Sequence, residues 1–368
     1  MPASTEPQQP LPQPQPTPQP APQPSPTPTP APTPPPNPEP PAAPAGKTFL
    51  VGYKVVDTTY TLPNKTNKNL TFAVWYPTTD QPLAYTYNKT SRLTVSGLVA
   101  QNGKVNGSFK YPLLVFSHGG FACATQSTYI MQYLASKGYI VAAPDHEDAA
   151  LCSIKGGTKN MPSNFENQAA VVMFPNRQED MEAVINLVLS WARDARSNFY
   201  QKVDTSNIAV FGHSAGGATA LSLCGAQETG AAKNYKDSRV NACLLFSPDV
   251  VYVPAANFKN IQLPSMYIWG DKDQTHLADK NAPRRPAYDN SGAPKFLVMP
   301  SGATHFAFAD SPTCLTARTA QKCVSSAIPS VIVNYSRNFL DYYLKKDSAS
   351  GENLKQKQGS LYNYEYQF

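Results

Sequence analysis

The chain has 368 residues and a formal net charge of +6, with its Lys and Arg scattered and no basic block. A nucleic-acid partner needs a concentrated basic face, so this charge argues against that class. No apolar run reaches the length of a membrane span, which argues against a spanning helix.

The first part of the chain is a different material from the rest. Twenty-one of the 37 prolines precede Gly46, mixed with Gln, Thr, Ala and Ser, and the only charges there are Glu6 and Glu39. Such a composition buries too little apolar surface to offset its ordering entropy, and its Pro-Gln and Pro-Thr alternation favours extended polyproline segments. Residues 1–46 are therefore expected to be a disordered spacer, a stalk rather than a ligand for a proline-binding domain. The ~320 residues that follow suffice for one α/β domain with a full core.

Strands begin at once in that domain. Residues 49–56 and 70–76 are β-rich, and 112–117 is a short continuous apolar run of the kind a doubly buried strand requires. A helix follows, with Ile130, Tyr133 and Leu134 on one face and Gly138 as its stop; 139–143 is the next buried strand. Met181, Val184, Ile185, Val188, Leu189 and Ala192 recur at helical spacing over 179–193. Then come strand 208–211, a helix from Ala215, strands 242–246, 265–269 and 295–299, and a helix over 328–344. Strands alternating with helices predict a mostly parallel central sheet with helices on both faces. The catalytic domain is expected over 47–345, with 346–368 as a polar tail.

Six cysteines are present. Cys314 and Cys323 bracket a short loop, and Cys123 and Cys152 lie in loops after strands, a pattern that suits disulfides and an oxidising compartment. Cys224 and Cys243 fall in an apolar helix and strand and read as buried thiols. No signal peptide precedes the spacer, so the expectation is an exported or surface-anchored protein whose targeting segment has been removed, with lipid or surface attachment through the spacer.

The strongest chemical signal is Gly212-His213-Ser214-Ala215-Gly216, followed by Gly217. A serine hydroxyl is a poor nucleophile until it is held out of the sheet and given a base. A sharp strand-to-helix turn does the holding, and glycines flank it because a side chain there would strike the neighbouring strand and helix. The apolar residues before and after supply that strand and helix. Among five histidines, His213 adjoins the serine, His118 and His146 precede it, and His276 and His305 follow it. His305, after the last expected strand, is where the base belongs; His276 is a distant second. The acid that orients it is Asp273, after strand 265–269, with Asp249, after the preceding strand, as the alternative. The oxyanion donors expected are the N–H of Ala215 and that of Gly120 in Ser117-His118-Gly119-Gly120-Phe121, with Phe121 the alternative. Phe121 and Phe306 flank the site and would offer apolar surface to a substrate.

The chain resembles the α/β-hydrolase superfamily, and within it esterases related to platelet-activating-factor acetylhydrolase and dienelactone hydrolase. The matching residues are Trp75-Tyr76-Pro77, Val115-Phe116-Ser117-His118-Gly119, Gly138-Tyr139-Ile140-Val141-Ala142-Ala143, Arg177 with Asp180, Gly212 to Gly217, and Gly302-Ala303-Thr304-His305. The likeness extends from about Val51 to Leu340. It implies carboxylic ester hydrolysis through an acyl-enzyme, without a metal or organic cofactor, and the layout shared with secreted polyester hydrolases makes a polymeric substrate conceivable. Two departures follow. The acetylhydrolase pattern puts the acid after strand 242–246, favouring Asp249, whereas Gly270-x-x-Asp273 resembles the dienelactone hydrolases, which use cysteine where this chain has Ser214. The segment 154–175 has no counterpart, and its apolar run 169–174 reads either as a lid or as a packed helical turn. The rival functions are a lipase or phospholipase-type acetylhydrolase with the same triad, and a catalytically silent hydrolase fold acting as a surface-binding module.

Overall fold

The structure, a computed structural model, describes residues 39–89, 94–156, 175–231, 233–273, 284–314 and 319–368, together with Gln13. The apolar run 169–174, His276 and most of the proline-rich stretch lie outside the described residues. The described part of the chain from Glu39 onward forms one compact unit.

Its centre is an eleven-stranded sheet in the order β11-β10-β9-β8-β7-β5-β6-β2-β1-β4-β3. The strands are β1 (Leu50–Thr61), β2 (Asn67–Thr78), β3 (Leu83–Lys89), β4 (Thr94–Gln101), β5 (Tyr111–Ser117), β6 (Ile140–Asp145), β7 (Val203–His213), β8 (Val240–Phe246), β9 (Ser265–Ile268), β10 (Lys295–Pro300) and β11 (Leu361–Gln367). From β6 through β5, β7, β8 and β9 to β10 the pairing is parallel. These are the apolar runs of the sequence, and they are buried on both faces. Alternate side chains of β7 divide between two cores: Ala209 and Phe211 join one, Ile208 and Val210 the other. The first core is closed by α1 (Thr128–Ser136) and α5 (Ala327–Lys345), the second by α2 (Arg177–Trp191), α3 (Ala215–Cys224) and α4 (Arg284–Asn290). The expected α/β layering is thus present, with helices on both faces.

Three features differ from expectation. Residues 39–46, assigned to the spacer by composition, reach the fold: Ala42 bridges Lys110, and Ala43 is buried with its N–H on the Lys110 carbonyl. Small apolar residues between prolines suffice to dock a chain that composition alone calls extended. The expected polar tail instead forms α6 (Ser348–Asn353) and β11, which pairs antiparallel with β10. Its Tyr-Asn-Tyr-Glu-Tyr alternation is strand-forming despite its polarity; Tyr364 turns inward onto the Tyr335 ring at 5.0 Å between centroids. Cys224 and Cys243 are not free thiols. The end of α3 lies against β8, and the two sulfurs pair, as do Cys123–Cys152 and Cys314–Cys323.

Because β11 caps an otherwise open edge of β10, removing it would expose a row of unpaired backbone groups. Deleting residues 361–368 is expected to lower Tm by about 5–10 °C and to promote self-association. Thermal unfolding with light scattering checks this; an unchanged Tm would show that the edge strand contributes nothing.

Candidate active site

The turn between β7 and α3 sets the site. Ser214 sits at φ 55° and ψ −121°, a conformation that an L-residue adopts only under constraint. Its surroundings supply that constraint. A Cβ on Gly212 would lie 2.1 Å from the Gly216 carbonyl oxygen, and one on Gly216 would lie 2.0 Å from the Ser117 carbonyl oxygen. Only glycine permits either approach. The strained backbone is also tied at both ends: the Ser214 N–H donates to the Phe246 carbonyl (3.0 Å), and its carbonyl accepts from Ala218 (3.1 Å) and Asp249 (2.9 Å). Ala215 opens the helix, so its N–H has no intrahelical acceptor.

His305 follows β10 in a short 3-10 turn and is buried beside this elbow. Its Nδ1 lies 3.1 Å from Asp273 Oδ2, its carbonyl accepts the Nε2–H of His213 at 2.8 Å, and the two imidazoles are 4.7 Å apart. The structure therefore brings Asp273, not Asp249, to His305. Asp249 is part-exposed and its carboxylate accepts the Val251 N–H at 3.2 Å. Sequence reasoning missed a further partner. Arg284, the first residue of α4, places Nη1 2.9 Å from the same Asp273 Oδ2 and donates Nε–H to the Pro248 carbonyl at 3.2 Å. Burial would raise the Asp273 carboxyl, but the His305 hydrogen bond and the charges of His305 and Arg284 outweigh it and hold the acid well below the usual carboxylate range.

His213 points away from the serine and joins the loops. Burial, aided by His305, pushes its pKa far down, so the ring is neutral. Gln126 donates to its Nδ1 at 2.9 Å while the same amide's oxygen accepts the Gly119 N–H at 2.8 Å. In the Gly119-Gly120-Phe121 loop, the N–H of Phe121 donates to Asp148 Oδ2 at 2.9 Å. The N–H of part-exposed Gly120 has no acceptor among the described residues. Phe121, at φ 60°, is buried, whereas Phe306 is 47 % exposed with its ring 5.5 Å from His305. Leu151 and Val251, both exposed, add apolar surface near by: the Leu151 N–H donates to the Phe121 carbonyl at 2.8 Å.

A second Ser–His–Asp array lies beneath the loop. Ser117 Oγ is 2.8 Å from His146 Nε2, and His146 Nδ1 is 2.9 Å from Asp180 Oδ2. Tyr60 and Lys68 complete the hydrogen bonding of Asp180 at 2.7 and 3.1 Å. All three members are fully buried, Ser117 is the last residue of an unstrained strand, and Arg177 donates to its hydroxyl at 3.3 Å. Burial pushes the Asp180 carboxyl up to about 6, against the lowering effect of Lys68 and Tyr60. This array braces β5, β6 and α2; it offers no opening to an ester.

Two outcomes follow from these contrasts. Ser117→Ala should keep turnover within about threefold of the parent while losing ~1–3 kcal/mol of stability, measured by denaturant unfolding beside an esterase assay; lost turnover with unchanged folding would point to the wrong serine. Asp273 has a depressed folded-state pKa, so its stabilisation is present above its unfolded value near ~4 and lost as pH falls through the folded value. The Tm deficit of Asp273→Asn should therefore be fully present at about pH 5 and shrink as pH falls below about 4. A deficit that does not shrink on the acid side would contradict the assignment.

Residues 60–190 match the family model described as platelet-activating factor acetylhydrolase, isoform II, and residues 165–328 match the one described as PET hydrolase-like. The chain is 30% identical over 163 residues to a platelet-activating factor acetylhydrolase of Gallus gallus, a match covering 34% of this chain and 39% of that protein. With its counterpart from Canis lupus familiaris the identity is 30% over 147 residues, covering 33% of each. The chain thus spans well under half the length of these relatives. A solved ferulic acid esterase from Streptomyces cinnamoneus superposes with a TM-score of 0.61 at 20% identity, over 84% of this chain and 94% of that one. The sheet order and this superposition show an α/β-hydrolase fold, and the proteins to which the chain is similar are named as an acetylhydrolase, a PET hydrolase and a ferulic acid esterase.

Proposed function

We propose that the chain is a serine carboxylesterase with Ser214 as nucleophile, His305 as base and Asp273 as the acid that orients it. The observation that carries this reading is the Asp273–His305 pair set beside a serine in a strained elbow. An imidazole that donates Nδ1–H to Asp273 keeps its Nε2 lone pair for the serine proton. Ser214 Oγ attacks the ester carbonyl as His305 takes that proton. The developing oxyanion is stabilised by the N–H groups of Ala215 and Gly120, the latter favoured over Phe121 because the Phe121 N–H is already bound to Asp148. His305 then protonates the departing alcohol, and a water activated by the same ring releases the acid.

A small hollow beside Ala215 is lined by Thr219, Glu228, Asp249 and Tyr252. Burial, reinforced by Asp249, pushes the Glu228 carboxyl up to about 7. A long alkyl chain laid against these groups would leave them unsolvated, so the site favours short or polar-substituted acyl groups. The proteins with which the chain is similar are named for acetyl-ester, polyester and ferulic ester hydrolysis, which agrees with a compact or aromatic acyl group. The three disulfides suit an oxidising, extracytoplasmic setting, and the proline-rich stretch serves as a spacer that holds the domain from its point of attachment.

Hydrolysis of p-nitrophenyl esters from acetate to palmitate tests both parts. Turnover should be greatest on short acyl chains, and Ser214→Ala should lose at least about a thousandfold in kcat and all labelling by a fluorophosphonate while remaining folded. Turnover rising toward palmitate would make the enzyme a lipase. Undiminished turnover in the variant would remove the proposed nucleophile.

A further inference from the structure

The loop after β5 is organised by a buried ion pair that the proposed reaction steps do not use. Arg177, 1% exposed at the start of α2, reaches both carboxylate oxygens of Asp148, with Nε at 2.9 Å and Nη2 at 2.7 Å. Its remaining donors go to the loop itself: Nη1 to the His118 carbonyl (2.6 Å) and the Ser117 hydroxyl (3.3 Å), Nη2 to the Gly119 carbonyl (3.2 Å). Asp148 Oδ2 in turn accepts the Phe121 N–H. The Phe121 carbonyl is taken by the N–H groups of Ala150 (3.0 Å) and Leu151 (2.8 Å), and the Gly119 N–H by Gln126. Of the three N–H groups in Gly119-Gly120-Phe121, two are thereby committed to the protein.

We propose that the Arg177–Asp148 pair is a positioning device that selects Gly120 as the oxyanion donor, by holding Phe121 in its left-handed conformation with its N–H turned inward onto Asp148. Arg177 also lines the hollow beside Ala215, but both residues bear on the oxyanion through the backbone of the loop. The inference rests on the esterase reading above. An ion pair suits this task better than a neutral one. A planar guanidinium satisfies a carboxylate and two loop carbonyls at once, fixing three points in one geometry. Asp148 can serve the Arg177 fork and an N–H together only because both of its oxygens accept. An amide in its place has a single acceptor oxygen and turns an NH2 toward one arm of the guanidinium, so the two-point clasp is lost. Burial opposes ionisation of Asp148, but Arg177 and then His118 outweigh it and hold the carboxyl far below its usual range, so the clasp persists throughout the neutral and mildly acid range.

The test is Asp148→Asn, with kcat expressed per serine titrated by a fluorophosphonate so that misfolded molecules do not count. We expect kcat to fall about a hundredfold, the usual loss for one misplaced oxyanion donor, with KM within about threefold. Inhibition by a trifluoromethyl ketone, which forms a tetrahedral adduct, should weaken by a similar factor, a readout that a merely structural residue would leave unchanged. Should Asp148→Asn fail to fold, Arg177→Lys keeps the charge and loses the fork, and about a tenfold loss in kcat is expected. A kcat per titrated site within threefold of the parent in the variant that folds, or a loss confined to KM, would overturn the proposal. Those results alongside an inactive Ser214→Ala would leave the esterase reading standing, whereas an active Ser214→Ala would remove the reading itself.

Discussion

The contact on which the site depends is the approach of Gly216 to the Ser117 carbonyl oxygen, closer than any Cβ would allow. It joins the first turn of α3 to the end of β5, and those two places carry the proposed nucleophile and the oxyanion loop. The adjacency of β5 and β7, with Ser117 in register with Gly212, makes this contact possible. Once it forms, the chain has no relaxed path from β7 into α3, and Ser214 must take a positive φ. That strain is worth roughly 1–3 kcal/mol. It is offset locally by the hydrogen bonds of Ser214 to Phe246, Ala218 and Asp249, which fix the backbone that carries the Ala215 N–H. Preorganisation of this kind is what makes a donor effective in the transition state.

A second constraint runs through the middle residue of the elbow. A neutral His213 has one donor and one acceptor nitrogen, and the tautomer is set by its partners. With the His305 carbonyl accepting from Nε2, Nδ1 must accept, and only the amide nitrogen of Gln126 can supply that proton. The Gln126 oxygen is then turned to the Gly119 N–H. The direction of each bond fixes the next, from the backbone of His305 across the elbow to the loop after β5. A network of this sort is costly when any member is lost, because every remaining group is buried.

How much of this was legible in the sequence depended on how local the cause was. The parallel strands were readable because a strand buried on both faces must be an apolar run, and β5 through β10 are such runs. Ser214 was readable because its turn needs glycines within two residues, and Asp273 and His305 because each must follow a strand in a fixed order. The outer strands β3, β4 and β11 were not, since the edge strands β3 and β11 are polar and rich in Tyr, and β4 is interrupted by Ser96 and Gly97. Arg284, Asp148 and Gln126 were also invisible: each is a polar residue in a loop or helix end, and its role comes from a partner brought near only by tertiary packing. The pairing of Cys224 with Cys243 fell between, since an apolar helix and strand describe a buried thiol and a buried disulfide equally well.

The two Ser–His–Asp arrays show why hydrogen bonding alone does not define a catalytic site. Both have an imidazole between an acid and the neighbourhood of a serine, and both acids meet a cation, Lys68 in one and Arg284 in the other. In the Ser117 array the serine–histidine and histidine–acid distances are 2.8 and 2.9 Å. It differs in what surrounds the serine. Ser117 has no exposed surface, continues a regular strand, and shares its hydroxyl with Arg177. Ser214 keeps 6 % of its surface, sits under strain and has two unclaimed N–H groups to hand, with exposed Phe306 at the rim. A nucleophile needs room for a tetrahedral carbon and donors for the charge that forms on it. Ser214 is the one of the two that offers both, and the Arg177 that donates to the Ser117 hydroxyl also holds the loop proposed to bind the oxyanion.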